Sequence, residues 1–210
     1  MSTLNELITS MLNHGFTDID TATLTDLLND AYEDVWGREA WPFREGQTTE
    51  DTTAGNATLT LPADFGKALS LVIDSMSLNL IPKRLDELEH QFSGDLTYNG
   101  LPMYYYFVGS TLKLYPVPDS VYTVTISYIK SFTPMANGTD APALPSNHRI
   151  ILLGALASAY DMEDDTDLAL RFEGRFENRI QTVREEWWMQ QYDKPDLWHD
   201  IYTFEDIWEG

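Results

Sequence analysis

Residues 122–160 read YTVTISYIKSFTPMANGTDAPALPSNHRIILLGALASAY, and the change of period inside this stretch decides the fold class. In its opening residues Tyr122, Val124, Ile126 and Tyr128 alternate with Thr123, Thr125, Ser127 and Ile129. One face is then apolar and the other mostly hydroxylic, as in a strand buried on one side. Ser131 to Pro145 holds Pro, Gly and Asn with no periodicity and reads as a loop. From Ile150 to Tyr160 the chain is apolar nearly all round, and Gly154, Ala155, Ala157, Ser158 and Ala159 keep its girth small. That is a buried central helix, with Ser146 expected as its cap. A β region passing directly into a packed helix predicts an α+β fold.

Towards the N-terminus the β texture continues back to Trp41-Pro42-Phe43. Strands are expected near Gln47–Thr53, Ala57–Leu61, Ala68–Ser75, Leu78–Ile81, Tyr104–Val108, Thr111–Tyr115 and Tyr122–Ile129, where β-branched and aromatic residues are broken by Gly, Pro, Asn and Asp. Gly109-Ser110 reads as a tight hairpin turn. Arg84 to His90 reads as a short helix with Leu85 and Leu88 on one side. Before Trp41 the period is helical. Leu4, Leu7, Ile8, Met11 and Leu12 form one stripe opened by a Thr3/Glu6 capping box and closed at Gly15. Leu24, Leu27, Leu28, Ala31, Tyr32 and Val35 form another, with Asp20 or Thr21 as N-cap and Gly37 as the expected stop.

Towards the C-terminus an acidic turn, Asp161 to Asp167, leads into a long helix. Its stripe is Leu168, Phe172, Phe176, Ile180, Val183 and Trp187, and Arg171, Arg175 and Arg179 are interspersed with Glu173 and Glu177. From Tyr192 the pattern fails. The aromatics Trp198, Tyr202, Phe204 and Trp208 lie beyond Pro195 among acids, and large exposed aromatics on a terminus point to a docking partner. The expected organisation is a helical core of residues 1–43 and 146–191, an inserted antiparallel β domain of residues 44–133, a linker loop 134–145 and a docking tail 192–210.

Composition narrows the function classes. The 13 Lys and Arg against 34 Asp and Glu give a formal net charge of -21. Such a surface repels phosphate, and the sequence has no basic cluster able to neutralise several phosphates of a duplex. With no cysteine there is neither a disulfide framework nor a thiolate metal site. The first residues carry Glu6 and no basic residue ahead of their apolar positions, unlike a signal peptide, and no apolar run reaches membrane-spanning length. A soluble protein made in the cytoplasm is expected, so the sequons at Asn56 and Asn137 read as chance matches.

The motifs of common chemistries are missing. Asp161, Glu163, Asp165 and Asp167 have the alternating oxygens of a calcium loop. Thr166 and Phe172, however, stand where an EF-hand needs Gly and a bidentate acid, so a solvated helix connection is expected instead. His14, His90, His148 and His199 have no metal-ligand spacing and read as surface or capping residues. No GxSxG, Walker loop, GxGxxG or HExxH occurs. Neither catalysis nor a cofactor is expected.

Taken in order, the elements resemble the head-to-tail adaptor proteins of tailed bacteriophages, also called connector or head-completion proteins. The resemblance is carried by the N-terminal helical pair ending at Trp41-Pro42-Phe43, by Leu61-Pro62-Ala63-Asp64-Phe65, and by Gly100-Leu101-Pro102 before Tyr104. It continues through Leu112-Lys113-Leu114-Tyr115-Pro116-Val117-Pro118-Asp119 leading into Tyr122-Thr123-Val124, and through Asp140–Pro145 before the Ile150–Tyr160 helix. It implies a structural ring, commonly of twelve subunits, at the head–tail interface of the virion. The ring binds the portal on one side and tail proteins, nozzle or fibres, on the other, and duplex DNA passes through it without specific binding. The tail aromatics Trp198, Tyr202, Phe204 and Trp208 are the candidate partner-binding residues, for the portal or a neighbouring subunit. The alternative reading is a tail, baseplate or fibre-attachment module that uses the β region to hold a protein or carbohydrate. No membrane partner is implied.

Overall fold

The computed structural model describes residues 2–38, 41–144 and 148–192. The fold is α+β, with largely antiparallel sheets between N-terminal and C-terminal helices. It divides into two compact units, one made of the residues up to Pro42 and those from Pro134 on, the other of Phe43–Thr133.

The helical unit begins with α1 (Leu4–Asn13). The Thr3 hydroxyl accepts the Glu6 N–H at 3.4 Å and the Glu6 carboxylate accepts the Thr3 N–H at 3.0 Å, which is the capping box read from the sequence. In α2 (Thr21–Arg38) the first turn is held by Asp20, whose carboxylate accepts the Thr23 N–H at 2.9 Å. The helix runs through Gly37, where a stop was expected. Arg38 holds that last turn by pairing with Asp34 one turn earlier, at 2.7 Å.

The two later helices are α4 (Arg149–Met162) and α5 (Thr166–Tyr192). Buried Ile150, Ile151, Ala155 and Leu156 seat α4 in the unit's core, and Gly154 lets it approach its neighbours closely. A Cβ at Gly154 would stand 2.9 Å from the Ala31 Cβ and 3.1 Å from the Phe176 ring. The stripe Ala169, Phe172, Phe176, Ile180, Val183 and Trp187 buries one side of α5. Trp41, 1 % exposed, donates its indole N–H to the Val35 carbonyl at 2.6 Å and meets the Trp187 ring edge-on at 5.1 Å. Such aromatic pairs add about 1 kcal/mol beyond the area they bury.

The aperiodic segment from Pro134 is pinned rather than loose. The Asn29 side chain both donates to and accepts from the backbone of Met135, at 3.0 and 2.9 Å. The Tyr32 hydroxyl accepts the Ala143 N–H at 2.9 Å. Asp140 turns its carboxylate back on the N–H groups of Ala136 and Asn137, at 2.9 and 2.7 Å, while its carbonyl accepts the Leu4 N–H. Ser146, the expected cap of α4, lies outside the described residues. His148, expected as a surface or capping residue, stands at the N-cap position of α4, where its side chain makes no cap bond and is buried. The tautomer protonated at Nε2 satisfies both its neighbours, accepting the Ser2 N–H at 3.0 Å and donating to the Leu144 carbonyl at 3.1 Å.

In the second unit, β1 (Glu45–Asp51), β3 (Phe65–Ile73), β4 (Leu78–Asn79) and β10 (Thr123–Lys130) form an antiparallel sheet of order β1-β10-β3-β4. A second sheet joins β2 (Thr58–Leu59), β5 (Ile81–Pro82), β7 (Tyr104–Val108) and β8 (Thr111–Tyr115) in the order β2-β8-β7-β5. Leu59, Leu71, Ile73, Leu112, Leu114, Val124 and Ile126 fill one core. The β7–β8 hairpin closes at Gly109-Ser110, with Val108 opposite Thr111 and Gly109 at φ 61°.

Two features differ from the sequence reading. The expected strand at Leu78–Ile81 splits, because buried Leu80 marks the point where the chain leaves one sheet for the other. Two short ladders are also parallel: β5 with β7, and β6 (Asn99–Gly100) with β9 (Val117–Pro118). The first is possible because α3 (Leu85–Gln91) and the chain after it supply a crossover that no hairpin could.

Candidate functional site

The candidate docking residues Trp198, Tyr202, Phe204 and Trp208 lie outside the described residues. The acidic connection after α4 is described. Asp165 caps α5, its carboxylate accepting the Leu168 N–H at 3.1 Å and its carbonyl accepting the Ala169 N–H. Asp164 takes a left-handed φ of 59°. Among the described residues no three His, Asp or Glu converge as metal ligands. No described helix is long and apolar enough to cross a membrane.

The turns that carry the resemblance hold the sheets in place. Asp64 of the Leu61–Phe65 segment accepts the Tyr128 hydroxyl at 2.8 Å and, through its carbonyl, the Ser131 N–H at 2.7 Å. Phe65 stacks on Tyr128 at 5.6 Å. Burial first, and then the Asp64 carboxylate, push the Tyr128 phenol above its ordinary range. Asp119 accepts the Tyr122 hydroxyl at 2.6 Å, tying the proline-rich turn to the start of β10. These aspartates therefore serve positioning and are not free acids.

The hydroxylic face of β10 is the first of three surfaces with a character of their own. Thr123 donates to Asp51 at 2.7 Å, Thr125 to Asp74 at 2.6 Å, and Gln47 donates to Ser127 at 3.4 Å. Register places Gln47, Thr49 and Asp51 of β1 opposite Ser127, Thr125 and Thr123, and Ser70 beyond Ser127 on β3. These positions present hydroxyls, amides and carboxylates, and Lys67 of β3 stands opposite Ile129 at the end of the face.

The other two surfaces flank α5 within the helical unit, and the sequence reading missed them. A groove of about 400 Å³ runs between α2, α4 and α5. Gly154, Ala157, Ser158 and Ala169 form its small-residue floor, and Asp30, Asp34, Asp161, Glu173 and Glu177 line it. Arg38 neutralises two of these acids, bonding Asp34 and Glu177 at 2.7 Å each, and those bonds hold its guanidinium charged well above the ordinary arginine range. Across α5 is a groove of about 630 Å³ lined by Arg149, Leu153, Arg175, Asn178, Arg179 and Thr182. Arg175 lies over the Phe172 ring at 5.4 Å. The signal was present in the spacing. Arg175 and Arg179 are one turn apart, as are Glu173 and Glu177, but the two pairs are offset by two residues, or about 200° around the helix.

No curated protein matches the chain. A family model does, that of the SU10 adaptor protein, and it covers residues 2–196. The matched span runs from the capping box of α1 through both sheets and the whole of α4 and α5, the same elements whose order carries the resemblance, and the chain therefore belongs to the SU10 adaptor protein family, a family of phage adaptor proteins.

Proposed function

We propose that this chain is a structural head-to-tail adaptor subunit, assembling with other copies as a twelve-membered ring beneath the phage portal and offering an attachment surface to tail proteins, nozzle or fibres. The role needs no catalysis and no cofactor. The observation that carries it is the family match over residues 2–196. In the division of labour we propose, residues 1–43 and 146–191 form the ring-building helical core and 134–145 link it to the inserted β domain, 44–133. Residues 192–210 dock on the portal through Trp198, Tyr202, Phe204 and Trp208.

Physical chemistry supports the channel. DNA leaving a capsid must meet no phosphate-clamping groups, and a net charge of -21 opposes such clamping. The hydroxyl, amide and carboxylate face of β10 and β1 is of the kind that lets a polyanion pass. Negative-stain images of the purified protein, alone and mixed with portal rings, test the reading. A cyclic particle with an opening wide enough for duplex DNA is expected. A chain that stays monomeric beside portal overturns the assignment, and a trimer favours a fibre-attachment module instead.

A further inference from the structure

The helical unit carries grooves of opposite sign on the two flanks of α5. In the acidic groove Arg38 engages Asp34 and Glu177, which leaves Asp30, Asp161 and Glu173 without an ion-pair partner among the described residues. In the basic groove Arg149 likewise has no acidic partner among the described residues. Arg175 lies over the Phe172 ring, and Arg179 pairs with Glu186 at 3.9 Å. The floor of the acidic groove is built of Gly, Ala and Ser, so long guanidinium side chains from outside can reach its carboxylates. Each groove also has an apolar anchor: Leu170, 61 % exposed, on the acidic side and half-buried Leu153 on the basic side.

We propose that the two grooves are partners of each other on successive copies of this chain, the arginine groove of one copy receiving the acidic groove of the next. This rests on the ring reading above and names the contact that builds the ring. Two different patches on one molecule that fit each other make a head-to-tail contact, which propagates and closes by rotation, whereas a self-complementary patch stops at a dimer. Arginine forks meet carboxylates with paired N–H donors, so the match specifies register as well as attraction. Duplex DNA is a poorer occupant of the basic groove. Three arginines neutralise few phosphates, the chain's net charge opposes approach, and the acidic groove would be left without a role.

The absence of cysteine makes the contact directly readable. Full-length chains carrying Leu153→Cys or Leu170→Cys, distinguishable by a tag on one, are purified, mixed with or without portal rings, and treated with a short bis-maleimide. Cross-linking between the two different chains is expected, with neither variant cross-linking to itself. A chain carrying both substitutions should give a ladder. Homodimers of the Leu170→Cys chain, or no cross-link under conditions where sedimentation shows wild-type rings, overturn the inference while leaving the ring intact. Monomers throughout, with portal present, overturn the ring itself. Charge reversal adds an independent reading. Glu173→Arg or Arg175→Glu alone should weaken association by roughly tenfold or more, and both reversals in one chain should restore it, because complementarity returns. If Arg175→Glu instead leaves assembly unchanged and removes retention on a duplex DNA column, the groove belongs to DNA and the inference fails.

Discussion

Adding a single methyl group at Gly154 should destabilise the helical unit, whereas the same change twenty residues later should stabilise it. At Gly154 the new Cβ would lie 2.9 Å from the Ala31 Cβ, about 0.5 Å inside ordinary contact, and 3.1 and 3.2 Å from two carbons of the Phe176 ring. Ala31 has no flexible end to swing away, so relief requires α4 and α2 to move apart. At Gly174 on α5 a Cβ would meet nothing within 4 Å. Both substitutions gain about 1 kcal/mol of helix propensity. Only Gly154→Ala incurs overpacking, about 1–3 kcal/mol. The two variants should thus differ by about 1–3 kcal/mol, with Gly174→Ala more stable than wild type and Gly154→Ala at or below it. None of the six tryptophans lies in Phe43–Thr133, and Trp36, Trp41 and Trp187 are buried in the helical unit, so the change of emission during urea unfolding reports that unit. With m near 2 kcal/mol/M, the midpoints should separate by roughly 0.5–1.5 M. Adding Ala31→Gly to Gly154→Ala should recover part of the loss, a coupling that distant sites do not show. Equal stabilisation by both single alanines would refute the close approach of α4 to α2.

Three other outcomes follow from contacts already described. Backbone N–H groups of Asn137 and Ala136 hold the Asp140 carboxyl below its ordinary value, so its contribution is present above the unfolded-state pKa and is lost as pH falls through the lower native one. Asp140→Asn should therefore flatten the fall in Tm between about pH 5 and 2; an unchanged slope would contradict this. Arg38→Met removes two ion pairs whose partners are nearly half exposed, 47 % for Asp34 and 44 % for Glu177, so after solvent screening the loss should be only about 1 kcal/mol, shrinking in high salt. A loss unaffected by salt would assign the residue's worth to packing. Ending the chain at Tyr192 should leave circular dichroism of the helices intact and abolish attachment to portal rings; persistent attachment would remove the docking role from Trp198, Tyr202, Phe204 and Trp208.

Helices with a one-sided stripe were legible because 3.6-residue spacing survives in sequence whatever the partner. The α1 capping box, the stripe of α5 and the Gly109-Ser110 hairpin are all local patterns with local causes. Less local features were hidden. That Leu80 divides one expected strand between two sheets, or that Asn99-Gly100 pairs with Val117-Pro118, depends on chain segments brought together from a distance. His148 gave no sign of burial, since its partners are backbone groups of Ser2 and Leu144, and backbone groups carry no sequence signature. The opposite-signed grooves beside α5 were half legible. The two-residue offset of Arg and Glu was in plain view, but their flanking acids Asp30 and Asp161 come from other helices.

The register that sets Glu45 opposite Ile129 has a consequence for the nascent chain. α2 leaves the ribosome long before α4, with roughly ninety residues of insert between the two parts of the helical unit. Closing an unstructured loop of that length costs about 4 kcal/mol. Once β1 has paired with β10, however, Glu45 and Ile129 stand side by side, and the loop still to be closed between α2 and α4 shrinks to the residues that flank that pair. Synthesis order and topology therefore agree: the insert is complete first, and its own pairing gathers the two ends on which the helices close.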